Sequence, residues 1–176
     1  MGIVLKIDGQ NLQIRRVRLN DGISFYRMLQ SIESEDHRFS NPVRNHSYAD
    51  YQNWLQKCRL ESQPDFGNEV IVPQTTFWLL ADNHPVGIGR IRHRLTDRLK
   101  KDGGNIAYAI SMNERERGYG SKLLGLLLEE AVKMGLTSVL ITVHRDNIAS
   151  QKVVLKNGGR LVDQAGEMRI YQIDLG

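Results

Sequence analysis

The stretch from Ile106 to Lys122 constrains this chain more than any other. A short apolar run, Ile106-Ala107-Tyr108-Ala109-Ile110, stops at Ser111. A charged turn follows, Asn113-Glu114-Arg115-Glu116-Arg117, then Gly118-Tyr119-Gly120 and a leucine-rich segment. This is strand, loop, helix, with two glycines where the helix opens. The first turn of a helix has free N–H groups and a partial positive charge, which suits a phosphate. Glycine lets the backbone approach such a group closely, and Arg115 and Arg117 add positive charge. The residues by themselves read as a phosphate-binding loop. The plain alternative is a helix entry with solvated charges, because a lone G-x-G is a weak signal. Two other phosphate loops are excluded. Leu123 stands where the last glycine of G-x-G-x-x-G belongs, and Lys122 does not follow a G-x-x-x-x-G spacing.

The segments around this stretch predict one mixed domain. Asp8-Gly9 separates two apolar runs and reads as a hairpin. Asn20-Asp21 offers a cap to a helix carrying Phe25, Met28, Leu29 and Ile32. Residues 34–45 read as a polar loop. Ser47-x-x-Asp50 is a capping box for a second helix, with Tyr48, Tyr51, Leu55 and Cys58 on one side. Strands are expected at 75–81, 86–95, 104–112 and 138–143, with a polar connector at 96–104. The helix after Gly120 carries Leu123, Leu124, Leu127, Leu128, Ala131 and Val132 at helical spacing. Val139 to Val143 is apolar throughout, which suits a strand covered on both faces. Asp146 or Asn147 caps the next helix, and segments 160–162 and 168–174 close as a hairpin. The strand–helix–strand order implies a parallel pair with a right-handed crossover. The expected fold class is α/β (mixed α+β): a largely antiparallel sheet, one parallel pair, and helices on both faces.

Charge and composition narrow the function. With 176 residues, one domain is the default. No apolar run is long enough to span a bilayer, and the first residues lack a signal-peptide core. The single Cys58 cannot pair internally, which fits a reducing, cytoplasmic setting. A net charge of +4 is mildly basic and makes no case for nucleic acid. The five histidines are scattered without ligand spacing, so no metal site is expected. On the second central strand Arg90, Arg92 and Arg94 alternate onto one face. They read either as a solvated rim or as a wall for a carboxylate-bearing substrate. His93 falls on the other face, where a satisfied core histidine is the reading.

Arg115-x-x-Gly118-x-Gly120 after a strand resembles the acetyl-CoA signature of the GNAT superfamily of N-acetyltransferases. A second block agrees: Asn147-Ile-Ala-Ser150, then Lys156-Asn-Gly158-Gly159, is similar to that family's N-x-x-[AS] helix and closing K-x-G-F. The resemblance covers roughly residues 75–174. It implies a single domain over 1–176, with 1–74 on the substrate side and 75–176 as the cofactor core. It implies that strands 106–112 and 138–143 splay, with acetyl-CoA in the gap and no metal. Backbone groups around Ile110 and Met112 would hold the pantetheine arm. Arg115 and the N–H groups from Arg117 through Gly118, Tyr119, Gly120 and Ser121 would take the pyrophosphate. Asn147 and Ser150 would contact the cofactor arm, and Ile110 or Ser111 would supply an oxyanion donor. Arg90 and Arg92 would face the substrate, an amine of a small molecule or peptide. The resemblance implies no nucleic-acid or membrane partner and leaves a homodimer open. Many members carry a tyrosine acid seven residues after the helix-opening asparagine. Here that position is Val154, and Gly159 replaces the closing aromatic. Tyr108 and His144 are the remaining candidates for the acid. A catalytically weak or inactive acetyl-CoA sensor or scaffold is the rival reading.

Overall fold

The computed structural model describes residues 4–176. In chain order the elements are β1 (Leu5–Ile7), β2 (Gln10–Arg16), α1 (Ile23–Leu29), β3 (Glu35–Asp36), β4 (Phe39–Ser40), α2 (Tyr48–Glu61), β5 (Gln74–Ala81) and β6 (His84–Arg92). Then come α3 (Asp97–Lys101), β7 (Ile106–Ile110), α4 (Tyr119–Lys133), β8 (Ser138–His144), α5 (Ile148–Lys156), β9 (Arg160–Ala165) and β10 (Met168–Asp174). One antiparallel sheet has the order β1-β2-β5-β6-β7, and a second has β8-β10-β9. The small β3–β4 hairpin stands apart. The fold is the expected mixed α/β arrangement.

β5 is buried along nearly its whole length, and alternation sorts its side chains between two cores. Phe77, Leu79 and Ala81 join the cluster under α4. Trp78 and Leu80 join the cluster formed with α1 and α2. α4 contributes Leu123, Leu124, Leu127 and Ala131 to the first core, while Val132 is exposed. The helix lies so near β6 that a Cβ on Gly89 would fall 2.5 Å from Leu127 Cδ1. The capping box at Ser47 and Asp50 forms as read, with both reciprocal bonds present.

Several local expectations change. The cap at Asn20-Asp21 does not form; Gly22 starts α1 without a side-chain bond. Asp21 turns inward instead and is buried. Its carboxylate accepts from Trp78 Nε1 (2.7 Å), from both terminal nitrogens of Arg15 (2.6 and 3.2 Å) and from the Arg18 N–H (2.7 Å). The Tyr51 hydroxyl donates to the Asp21 carbonyl at 3.0 Å. Four donors from β2, β5 and the intervening turn outweigh one cap bond, and they are what makes burial of a carboxylate tolerable. The polar connector contains α3, and the polar loop contains the β3–β4 hairpin. β6 ends at Arg92 and β7 at Ile110, so Arg94, Ser111 and Met112 lie outside the strands. β8 is not covered equally on both faces. Val139, Ile141 and Val143 are buried, but Leu140 and Thr142 are only half-buried. No described helix is long and apolar enough to cross a membrane.

Asp21 should therefore be a stability hub. Asp21→Asn should lower urea-unfolding stability by roughly 2–4 kcal/mol. Asn20→Ala should change it by less than about 0.5 kcal/mol. Equal effects would return the capping role to this pair.

Candidate active site

The cleft exists because β7 and β8 touch at one end only. The Asn105 N–H donates to the Leu140 carbonyl (2.7 Å), and its side-chain Oδ1 accepts from the Leu140 N–H (2.9 Å). Its carbonyl and Nδ2 bond the N–H and carbonyl of Arg92 at 2.7 and 3.2 Å. One asparagine thus joins two sheets through four bonds. Gly104 precedes it with φ +62°, and a Cβ there would lie 2.4 Å from the Leu140 oxygen. The Gly103 N–H donates to Thr142 Oγ1 (2.9 Å), and Arg92 Nη1 donates to the carbonyls of Gly103 (3.1 Å) and Gly104 (2.9 Å). Past this pin no ladder joins the strands. Tyr108, three residues on, bonds Ser150 near the start of α5 (Oη to Oγ, 3.0 Å) rather than β8.

Register decides which backbone groups face the gap. Ser111 N–H donates to Val86 and Arg92 N–H to Asn105, so the odd residues of β7 pair with β6. In an antiparallel ladder the alternate residues then point their N–H and C=O groups the other way. Tyr108 and Ile110 form that open edge. The expected edge at Ile110 and Met112 is corrected by one step, because Met112 enters a 3₁₀ turn. Of the two expected oxyanion donors, only the Ile110 N–H is on the open edge.

The gap is one cleft with two halves. The half facing α4 has a volume of about 420 Å³, the other about 240 Å³, and His37, Tyr108 and Ser150 border both. Around the first half the structure gathers Tyr108, Ile110, Arg115, Gly118, Tyr119, Gly120, Ser121, Asn147 and Ser150. α4 begins at Gly118 with no side-chain cap, so its first-turn N–H groups have no side-chain acceptor. α2, α3 and α5 all begin with a side-chain cap, the last from Asn147 Oδ1 to the Ser150 N–H. The loop arginines are less free than the sequence suggests. Arg115 pairs with Asp36 (2.5 Å) and donates from Nε to the Ile110 carbonyl (3.2 Å); Arg117 pairs with Glu114 (2.9 Å). The positive potential for an anion comes from backbone dipoles more than from these side chains. Tyr119 turns its ring into the core and its hydroxyl donates to Gln10. Burial pushes the Tyr108 phenol pKa above its ordinary value, with Ser150 partly opposing it.

Residues 11–160 match the family described as the acetyltransferase (GNAT) domain. The chain belongs to the GNAT acetyltransferase family. No curated protein sequence matches it. Solved GNAT structures share the fold. RimJ of Mycobacterium smegmatis, in complex with CoA-disulfide, aligns with TM-score 0.74 at 17% identity, covering 98% of this chain and 86% of that one. RimL, a ribosomal L7/L12 alpha-N-protein acetyltransferase in complex with coenzyme A, aligns with TM-score 0.71 at 14% identity, covering 98% of each. The GNAT domain of S. lividans PAT aligns with TM-score 0.67 at 16% identity, covering 95% of this chain and 92% of that one.

Within this GNAT domain the other predicted site residues scatter. His144 does not border the cleft; its Nε2 is held by Glu167 (2.9 Å) and the Asp146 N–H donates to its Nδ1 (3.3 Å). Ser111 is buried against Ser31 (2.7 Å between hydroxyls), and Met112 and Arg117 lie outside the cleft lining. The arginine wall is not a wall. Arg90 is buried, donates to the Ser40 carbonyl (2.6 Å) and stacks over Phe39, while Arg94 donates to the Asn68 carbonyl (2.5 Å). Only Arg92 borders the cleft, and its guanidinium is spent on the pin. Neither the solvated rim nor the carboxylate wall describes Arg90 and Arg92, because each holds a part-buried carbonyl; Arg94 is exposed past the end of β6, as the rim reading has it. His93 sits past the end of β6 with its Nε2 on Thr75 Oγ1 (2.8 Å). Val154 is fully buried, and α5 presents Val153 to the cleft instead.

What sequence reasoning missed is the hairpin from Glu35 to Ser40. Asp36, bound to Arg115, and Arg38, bound to Asp102 (3.3 Å), fasten it over the cleft, and His37 is at its turn. Its four-residue polar run carried no signal beyond loop composition. The pin itself is testable. Gly104→Ala should destabilise the fold by roughly 2 kcal/mol or more from clash and left-handed backbone together. The neighbouring exposed Lys101→Ala should shift stability by less than about 0.5 kcal/mol in the same melts; a tolerated Gly104→Ala would contradict the pin.

Proposed function

We propose that this chain is an acetyl-CoA-dependent N-acetyltransferase acting on a primary amine of a small molecule or peptide. The observation that carries the reading is the pinned, unladdered gap between β7 and β8, bordered by the uncapped start of α4. An extended amide-bearing arm fits the open backbone edge of Tyr108 and Ile110. A pyrophosphate fits the first-turn N–H groups of Tyr119, Gly120 and Ser121. Gly120 faces the cleft, where an added Cβ would stand 3.8 Å from the Tyr108 ring and 3.9 Å from Val153. Asn147 and Ser150 border the same half. Acetyl-CoA, when bound, supplies an activated acyl group. The Ile110 N–H is the donor available for the acyl oxygen. Tyr108 holds its proton at Oη and is oriented by Ser150, so it is the acid of this site. His37, at the junction of the two halves, takes the proton that the acceptor ammonium must lose.

The acceptor half is bordered by Glu35, Arg38, Arg98 and Asp102. Mixed charge suits an acceptor that carries an anionic group beside its amine, with Arg98 rather than Arg90 to meet it. RimL, named for acetylating a protein α-amine, makes a protein N-terminus one such acceptor class. Val154 favours a rival, a non-catalytic acetyl-CoA sensor; release of free thiol with an amine panel separates the two. The lone Cys58 is buried and has no second cysteine to pair with, in keeping with a cytoplasmic, reducing setting.

Gly120→Asp should leave the fold intact and weaken acetyl-CoA binding by roughly tenfold or more in calorimetry, since it sets a carboxylate where an anion should lie. Unchanged affinity in the folded variant would remove the loop from the site.

Tyr108→Phe should cut turnover by about a hundredfold with little change in cofactor affinity. An acid works while protonated. Burial raises the Tyr108 pKa, so turnover should persist as pH rises and decline only above ~10. His144→Ala should keep the parental pH profile. A decline near ~6.5 that His144→Ala abolishes would assign the acid to histidine.

A further inference from the structure

A second cavity, about 210 Å³, lies away from the cleft, where the end of β2 and its following turn meet α2 and the start of β5. None of the residues lining it lines the cleft. Arg16, Arg18 and Arg59 converge on it, and no acidic residue borders it. This is unusual within the molecule. Arg15, Arg38, Arg44, Arg115, Arg117, Arg145 and Arg160 are all paired with acids. Arg90, Arg92, Arg94 and Arg169 hold carbonyl oxygens. Among the described residues only Arg16, Arg18, Arg27, Arg59 and Arg98 have side chains with no hydrogen bond or ion pair, and three of these five border this one cavity.

The floor adds a second, independent signal. Thr76 borders the cavity, and its buried Oγ1 has no hydrogen-bond partner other than the neighbouring Cys58 thiol. A buried hydroxyl whose sole partner is a thiol is poorly satisfied. The adjacent Cys58 thiol, kept neutral by burial, is a weak partner for it. Beside it, Thr75 Oγ1 holds His93 Nε2 at 2.8 Å. Burial first, and then the charge of Arg16, keep the His93 pKa below its ordinary value. No acidic residue borders the cavity to balance these three guanidinium groups, and each has a planar donor fork that matches phosphate or carboxylate oxygens. A single monovalent ion would leave most of that charge unmet.

We propose that this cavity binds a small multivalent anion, a phosphate or a polycarboxylate, held by Arg16, Arg18 and Arg59. The site is independent of acetyl transfer and stands whether or not the β7–β8 cleft is catalytic.

The test is an NMR titration of the whole chain with inorganic pyrophosphate in one arm and citrate in the other, following backbone amide, arginine Nε–H and histidine ring signals. Arg16, Arg18, Arg59 and His93 signals should move saturably in at least one arm. The arm that does so names the chemistry. The thermal midpoint should rise with that anion, because a ligand bound only by the folded state stabilises it. The double substitution Arg16→Gln, Arg59→Gln should weaken the apparent affinity by roughly tenfold or more. These side chains are exposed, so the fold should survive. Gly120→Asp should leave these shifts unchanged, which separates them from anion binding at the α4 loop. The proposal is overturned if neither anion moves those signals, if shifts appear only at Gly118 to Ser121, or if the double variant binds as the parent does.

Discussion

One asparagine sets up the architecture on which everything else depends. Asn105 offers its own peptide to Arg92 and Leu140 and then repeats the gesture with its side-chain amide. The two sheets are therefore fastened at one point and free beyond it. A conventional parallel ladder would have satisfied the backbone of Tyr108 and Ile110 and closed the gap. Because it does not form, the Tyr108 groups and the Ile110 N–H remain open toward a ligand, while the Ile110 carbonyl accepts from Arg115, and α4 and α5 rather than β8 become the opposite wall. Gly104 is a consequence of the same pin, since no side chain fits beside the Leu140 carbonyl. So is Arg92, whose guanidinium holds the two carbonyls leading into it.

Charge in this molecule is mostly structural, and the exceptions are informative. Arg90 is a buried cation with no acidic partner. Its pKa is lowered by burial, and it is held by a carbonyl and an aromatic face. What it secures is the β3–β4 hairpin. Asp36 and Arg38 fasten the other side of that hairpin to the α4 loop and to the end of α3. His37 and Arg38 both adopt left-handed backbone, which is costly for residues with a Cβ and persists only where surrounding contacts enforce it. The hairpin is thus a built roof over the junction of the two cleft halves. Arginines without such duties stand out against this background, at Arg98 beside the acceptor half and at the Arg16, Arg18 and Arg59 cavity.

Much of the site's scaffold was legible in the residues themselves. Gly118-x-Gly120 after an apolar run placed the α4 start, Ser47-x-x-Asp50 placed the α2 start, and Asn147 caps α5 as read. The two glycine-bearing blocks also carried the resemblance that the family match over residues 11–160 supports. These signals are local: each depends on backbone conformation and on bonds spanning three or four residues, so nearby letters suffice to encode them.

Side-chain destinations were not legible in the same way. Alternation put Arg90, Arg92 and Arg94 on one face but could not say that a hairpin carbonyl, a glycine turn and a distant loop would claim them in turn. Asp21 looked like a cap until Trp78, 57 positions away, required an acceptor. His144 sat near the gap in sequence, yet Glu167 holds its ring elsewhere. The clamp between Asp36 and Arg115 joins residues 79 positions apart across a loop of no recognisable pattern. The sequence by itself determined where elements begin, which face of each is apolar, and the family to which they add up. Which polar groups meet was decided only by the tertiary structure, because a buried charge goes to whichever partner best replaces its lost water, wherever along the chain that partner lies.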